Sequence, residues 1–153
     1  MPIEHIHPML VHFPIVLALL ALAFDLWWFA FGRNDSQGLI RLQTGTVVMT
    51  LGGIAAVVAF VFGDMAYDIA VGKGVATAVL ETHEGWGTTT AIVFAAVAAV
   101  RLVLWRTGID RQPAGALVAI AATAVVAVMV VVTAYFGGHL VYDLGINVTG
   151  AMK

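Results

Sequence analysis

The sequence predicts an all-α integral membrane protein, a four-helix bundle in which both termini lie on the outer side of the bilayer. Of the 153 residues, 61% are hydrophobic and only 10% are charged. A soluble domain of this length could not bury that much apolar surface. Four apolar stretches are each long enough to cross a hydrocarbon core of about 30 Å as a helix. We therefore treat residues 1–153 as one membrane domain.

The four stretches are predicted to be helices over residues 9–31, 42–62, 85–105 and 114–140. The residues before the first stretch lack the basic segment of a signal peptide, so we expect this helix to be retained. Short polar segments join the first helix to the second and the third to the fourth, which makes each pair antiparallel neighbours. The half-apolar segment 63–82 is expected to lie along the membrane surface. No internal repeat stands out in the sequence.

The distribution of basic residues predicts the orientation in the membrane. Five arginines flank the two short loops, namely Arg33, Arg41, Arg101, Arg106 and Arg111. Only Lys73 and Lys153 lie on the other side. Loops rich in Lys and Arg stay in the cytoplasm. The sequence therefore predicts a bacterial inner-membrane protein with both termini in the periplasm.

Composition excludes several classes of function. The net charge of −2 gives no reason to expect a nucleic-acid partner. The absence of cysteine excludes disulfides, iron–sulfur clusters and covalently attached c-type haem. The sequence has no phosphate-binding glycine loop and no hydrolytic motif, and whether the protein is an enzyme stays open.

The histidines are the candidate functional residues, and all five fall on the predicted outer side: His5, His7, His12, His83 and His139. An ionisable side chain within a membrane helix is a functional candidate by default. Imidazole binds both metals and haem iron, and four-helix bundles hold such cofactors between facing helices. We expect His12, His83 and His139 to lie at similar depth. Because His7 precedes Pro8, which disfavours helical geometry, it is less well placed than His12.

Our preferred hypothesis from these positions is a b-type cytochrome-like protein that binds haem near the outer surface. Two imidazoles from facing helices would be its axial ligands, and we favour His12 or His83 together with His139. Gly87, Gly137 and Gly138 lie near these histidines and leave room for a flat cofactor. Electrons would pass to or from a periplasmic redox partner or a quinone.

Two alternatives stay open. The first is a zinc, copper or iron site built from His7, His12, His83 and His139 with Asp64 or Glu84. Such a site needs ring nitrogens that converge on one point. The second is a non-catalytic accessory subunit of a membrane complex, whose histidines only hydrogen-bond the helix ends. A homo-oligomer is compatible with each reading.

Two further features predict packing rather than chemistry, the first of them towards the cytoplasmic side. Asp25 in the first helix and Arg101 in the third are at similar depth, and we expect them to form an ion pair. Gly45, Gly52 and Gly63 form a stripe of small residues on the second helix, which favours close helix packing.

Two segments resemble a known family. Residues 7–15 read His-Pro-Met-Leu-Val-His-Phe-Pro-Ile, and residues 137–142 read Gly-Gly-His-Leu-Val-Tyr. They are similar to the opening and ending motifs of DUF2231, a group of predicted bacterial four-helix membrane proteins. The resemblance covers the whole chain in order. It implies the four-helix topology, and the occurrence of such domains beside c-type cytochrome domains suggests redox work. Its motif histidines correspond to His7, His12, His83 and His139.

Overall fold

The computed structural model describes residues 3–32 and 38–148, and these residues are helical with no strand. The helices are α1 (Ile6–Leu10), α2 (His12–Trp27), α3 (Gly38–Gly72), α4 (Thr77–Thr107) and α5 (Pro113–Tyr142). Four spans are long and apolar enough to cross a membrane: Ile6–Phe31, Gly38–Gly72, Thr77–Thr107 and Pro113–Tyr142. The predicted all-α fold with four membrane-length helices is confirmed.

The first span begins earlier than predicted and is broken in its first turns. Pro8 lies in the first turn of α1, where its missing N–H would have no partner in any case. His7 is therefore helical, contrary to the expectation drawn from Pro8. Pro14 cannot donate to the Leu10 carbonyl, and its ring crowds that group. The regular helix is accordingly interrupted at Val11, between α1 and α2, although Val11 keeps helical dihedral angles.

The prediction of a surface segment over residues 63–82 is wrong. Helix α3 continues to Gly72 and α4 begins at Thr77, so only residues 73–76 join them. Ala66, Tyr67 and Ala70 keep a helical spacing and line the inside of the bundle, which explains why the helix continues. With 35 residues, α3 is about 52 Å long, well beyond the hydrocarbon thickness.

The bundle has a packed centre with a different polar feature at each end. Helix α3 packs against α2 and α4, and α5 packs against the same two helices. The central core contains Ala18, Met49, Phe94 and Val126, all fully buried. We call the end that holds α1 and the α3–α4 connection the histidine end. The opposite end, which holds the α4–α5 connection, is the ion-pair end.

The two helical hairpins occupy equivalent positions although their sequences differ. Six buried residues of α3 match buried residues 74 positions later in α5, in the pairs 42 and 116, 45 and 119, 49 and 123, 52 and 126, 53 and 127, and 56 and 130. Three buried residues of α2 likewise match buried residues 76 positions later in α4, in the pairs 14 and 90, 18 and 94, and 25 and 101. The chain is therefore an internal structural repeat that residue identities do not reveal.

The predicted ion pair between Asp25 and Arg101 is present in the fold. Both side chains are almost completely buried, and Arg101 donates to both carboxylate oxygens. The hydroxyls of Thr46 and Thr123 accept further hydrogen bonds from the guanidinium. A Cβ at Gly45 would lie only 2.6 Å from Asp25 Oδ1. The first glycine of the predicted stripe thus makes room for the ion pair.

Candidate functional site

A mostly apolar cavity of about 480 Å³ lies inside the histidine end of the bundle. Its volume is within the range of about 300–1,000 Å³ that is usual for small-molecule and cofactor sites. All five helices contribute to its walls. The apolar lining includes Ile15, Ala56, Phe94 and Val130. The cavity can therefore hold a bulky apolar group, and its polar side chains decide which one.

His7 enters the cavity from α1 and is held by α3. Its Nδ1 lies 2.9 Å from the carbonyl oxygen of Ala59, which can only accept a hydrogen bond. The ring lies against Gly63, one turn further along α3. A Cβ at Gly63 would be 2.9 Å from His7 Cε1, closer than real Cβ contacts allow. The glycine is therefore what lets the imidazole lie against the helix.

His83 repeats this arrangement on the other hairpin. Its Nδ1 lies 3.2 Å from the carbonyl oxygen of Thr133 on α5. A Cβ at Gly137, one turn after Thr133, would be 2.8 Å from His83 Cε1. The two histidines and the two glycines occupy equivalent positions of the internal repeat. Each imidazole is thus positioned by a carbonyl and a glycine of the next membrane span along the chain.

The hydrogen bonds determine which ring nitrogen is available for chemistry. A carbonyl oxygen accepts, so Nδ1 carries the hydrogen in both His7 and His83. In the neutral ring, Nε2 then has a free lone pair. Histidines that bind metals characteristically donate their other ring N–H to a backbone carbonyl or a carboxylate. Both rings are therefore prepared to bind through Nε2.

The two imidazole rings lie close together in an edge-to-face arrangement. Their ring centres are 6.2 Å apart, and the ring planes are inclined by 68°. Two imidazoles bound on opposite sides of one metal ion, with bonds of about 2.0 Å, have ring centres about 6 Å apart. The observed separation of the ring centres is close to that value.

The other predicted ligands are not in contact with this pair of histidines. His12 is exposed at the edge of the cavity, with Nδ1 3.3 Å from the Met9 carbonyl oxygen. His139 is exposed and does not line the cavity; its Nδ1 lies 2.6 Å from Asp143 Oδ2. Asp64 is an exposed residue of the cavity wall. The structure therefore brings His83 together with His7, and not with His12 or His139.

Among the described residues, no third possible metal ligand joins this pair. Across residues 3–32 and 38–148, no three His, Asp or Glu side chains are grouped so that they could hold a metal ion. Glu84, next to His83 in sequence, accepts a hydrogen bond from Thr88 instead of orienting the imidazole. The carboxylate of Asp143 lies against His139 at the outside of the cavity.

Three chain segments meet at the rim of the cavity. Lys73 Nζ at the end of α3 lies 2.7 Å from Glu4 Oε1 near the N-terminus. The backbone carbonyl of Glu4 accepts a hydrogen bond of 2.9 Å from Asn147 Nδ2. The hydrogen bond from Lys73 lowers the pKa of the Glu4 carboxyl below its usual value, so this side chain is ionised at neutral pH.

A family model described as a predicted membrane protein, DUF2231, matches residues 4–150. The chain belongs to DUF2231. The resemblance found in the sequence is thus confirmed, and the match includes both histidines of the cavity and the glycines behind them. No curated protein and no solved structure gives a significant match. Membership in DUF2231 therefore supports the membrane fold and supplies no activity.

In this DUF2231 protein, sequence analysis missed the features that position the histidines. They are the carbonyls of Ala59 and Thr133 and the glycines four residues later, Gly63 and Gly137. Gly63 was assigned to helix packing, and Gly137 to space beside His139. The signal that could have found them is the spacing of the repeat. His7 and His83 are 76 residues apart, as are Asp25 and Arg101.

Proposed function

We propose that this DUF2231 protein is a b-type cytochrome-like membrane protein that binds haem with His7 and His83 as the two axial ligands. One observation carries the proposal. The two partly buried imidazoles have ring centres 6.2 Å apart, and each donates Nδ1–H to a backbone carbonyl. This ligand pair replaces the pairs with His139 that the sequence favoured, because His139 lies outside the cavity.

The residues around the pair fit a porphyrin. The cavity of about 480 Å³ is lined mainly by apolar side chains, as a flat hydrophobic macrocycle requires. A Cβ at Gly87 would contact nothing within 4 Å, so the wall next to His83 is open. The wall therefore leaves space on the side of α4 that carries one of the proposed ligands.

Haem would supply a one-electron carrier, with iron that alternates between the ferric and ferrous states. The protein's own contribution is to hold the two rings and exclude water. The carbonyls of Ala59 and Thr133 fix the orientation of the imidazoles and make Nε2 a stronger ligand. Gly63 and Gly137 allow the rings to approach the helices closely. The apolar lining keeps the dielectric constant around the iron low.

The number of ligands favours haem over a compact metal site. Zinc and similar ions in proteins take three or four side-chain ligands. Among the residues that the structure describes, the cavity offers the His7–His83 pair without a third His, Asp or Glu in range. Haem needs only two, because the porphyrin provides the other four. We place the site at the periplasmic side of the inner membrane, where a periplasmic redox protein or a quinone would exchange electrons with it.

The deciding experiment is an absorption spectrum of the detergent-purified protein, oxidised and then reduced with dithionite, with metal analysis of the same sample. The protein is produced with ample haem. We expect a sharp reduced α-band that is lost in His7→Ala and in His83→Ala. The matched controls are His12→Ala and His139→Ala, which remove exposed histidines of the same end and keep the band.

Other results would refute the proposal in recognisable ways. A colourless wild-type protein would exclude haem, and one equivalent of bound metal in that sample would favour the compact site. A colourless, metal-free protein would favour an accessory subunit. An α-band that disappears in His139→Ala but persists in His7→Ala would retain the haem and reject the ligand pair.

A further inference from the structure

The rim of the cavity has a basic side chain in a position to recognise an acidic group. Lys73 is the basic residue among the described residues that line the cavity. Its side chain is half exposed, whereas that of Glu4 is only 17% exposed. The ammonium group is thus reachable from the cavity and from solvent. Its ion-pair partner, in contrast, is largely covered.

Lys73 directly follows the last residue of α3, the helix against which His7 lies. It follows Gly63, against which His7 lies, by ten residues, or about 15 Å along the helix. Residues between them, including Tyr67 and Ala70, line the same cavity. A ligand whose centre lies between the imidazoles and whose polar edge points towards the rim would therefore approach Lys73.

The partner that Lys73 now has is easily replaced. Ion pairs between partly exposed side chains contribute only about 0–1 kcal/mol, so exchanging one carboxylate for another costs little. Haem b carries two propionate carboxylates on one edge of the porphyrin. A carboxylate brought to the rim by a tightly bound ligand has a high effective concentration there.

We propose that Lys73 binds a propionate of the porphyrin and exchanges Glu4 for this carboxylate when the cofactor enters. This proposal rests on the proposed function and adds a ligand specificity to it: the site recognises a porphyrin with free carboxylates. The Glu4 carboxylate pairs with Lys73 at the position that the propionate would occupy. The hydrogen bond from Asn147 to the backbone carbonyl of Glu4 keeps the N-terminal segment at the rim.

The test compares two porphyrins in the haem-free, detergent-solubilised protein. One is iron protoporphyrin IX, and the other is its dimethyl ester, which has no free carboxylate. Binding is followed by the Soret band during titration. We expect Lys73→Met to weaken binding of the free acid about tenfold, the loss of one charge-assisted hydrogen bond. Binding of the ester should not change. Glu4→Gln removes the competing carboxylate and should tighten binding of the free acid only.

A control and the contrary outcomes separate this inference from the haem site itself. Arg106→Met removes an exposed cation at the opposite end of α4 and should leave both titrations unchanged. Equal weakening of both porphyrins by Lys73→Met would make the lysine a structural residue and overturn the inference. So would unchanged binding of the free acid in both rim variants. Failure of both porphyrins to bind the wild type would instead refute the proposed function.

Discussion

At the scale of single residues, the site depends on two glycines, because a side chain at either position would collide with a histidine ring. His7 and His83 lie where the Cβ of any other residue at Gly63 or Gly137 would be. Only then can each Nδ1 reach the carbonyl one turn back along the helix. The glycines therefore set the direction of both free Nε2 atoms, although neither glycine carries a chemical group.

We predict that Gly137→Ala displaces His83 and lowers the haem content of the purified protein. The added methyl group would be 2.8 Å from Cε1 of the ring. Overpacking of this kind typically costs about 1–3 kcal/mol of unfolding free energy. The matched control is Gly85→Ala on α4, which lies outside the cavity lining and where a Cβ meets nothing within 4 Å. Equal loss of haem absorbance and of stability in both variants would contradict the assigned role.

Asp110, in the turn Ile109–Arg111, is a second residue with an unusual environment. It is only 2% exposed, and neither carboxylate oxygen has a hydrogen-bond partner among the described residues. Burial raises the pKa of this carboxyl above its usual value. The charge of Arg111 and nearby backbone N–H groups oppose the shift without cancelling it. Folding therefore makes protonation of this carboxyl more favourable than it is in the unfolded chain.

A raised pKa in the folded state has a definite consequence for stability. The folded protein binds the Asp110 proton more tightly than the unfolded chain, so this contribution is fully present below pH 3.8. It is lost as the pH rises through the raised value. We predict that Asp110→Asn, which stays neutral, is more stable than wild type at pH 7 and loses this advantage in acid. Unfolding curves in detergent at several pH values test this, and a less stable variant at pH 7 would disprove it.

At the scale of helices, the ion-pair end shows how a charged pair is accommodated within an apolar bundle. Arg101 on α4 reaches Asp25 on α2, and both flanking helices supply a threonine hydroxyl. The remaining donors of the guanidinium are thus satisfied. Removing one partner from such a pair leaves an uncompensated buried charge, which is far more costly than removing both.

We predict that Asp25→Ala lowers the unfolding free energy by about 3–5 kcal/mol. The double variant Asp25→Leu/Arg101→Met should lose much less, because no charge stays unpaired. Unfolding by sodium dodecyl sulfate in mixed micelles measures both. The haem site offers an internal control. Residues 83 and 101 of α4 are about 27 Å apart, so folded variants should keep the reduced spectrum. Equal destabilisation by the single and double changes would refute this account.

At the scale of the whole molecule, the internal repeat places one polar pair at each end. Equivalent positions of the two hairpins meet twice: His7 with His83, and Asp25 with Arg101. Their separation of about 27 Å along α4 is close to the hydrocarbon thickness of about 30 Å. We therefore expect each pair to lie near one membrane interface. The arginines at the ion-pair end favour the cytoplasmic side for it.

We predict that the histidine end faces the periplasm. The chain has no cysteine, so single cysteines can be introduced as reporters. Ala76→Cys lies in the connection at the histidine end, and Gln112→Cys lies in the turn at the ion-pair end; both positions are exposed. A membrane-impermeant maleimide applied to intact spheroplasts should label only the first. Labelling of the second alone would invert the topology and move the proposed haem to the cytoplasmic side.

The features that lipid imposes on each segment separately, namely its helical structure and the depth of its residues, can be predicted from local sequence alone. A membrane span must satisfy its own backbone, so a helix can be read from a local apolar run. The depth of a residue along its helix is also a local property. For this reason the pairing of Asp25 with Arg101 and the gathering of the histidines at one end could be predicted, whereas the helix ends could not. Residues 63–72 form helix because their spacing continues the inner face of α3.

Which histidines come into contact depends on how the helices pack, and this is seen only in the tertiary structure. Depth along a helix does not give the rotation of the helix about its axis, and that rotation determines whether a side chain faces the cavity or the outside. His12 and His139 are exposed at the histidine end, whereas the ring of His7 lies against Ala59 and Gly63 of α3. The backing glycines are more than fifty positions away in sequence. Their contacts with the rings arise from packing between helices, which no local pattern records.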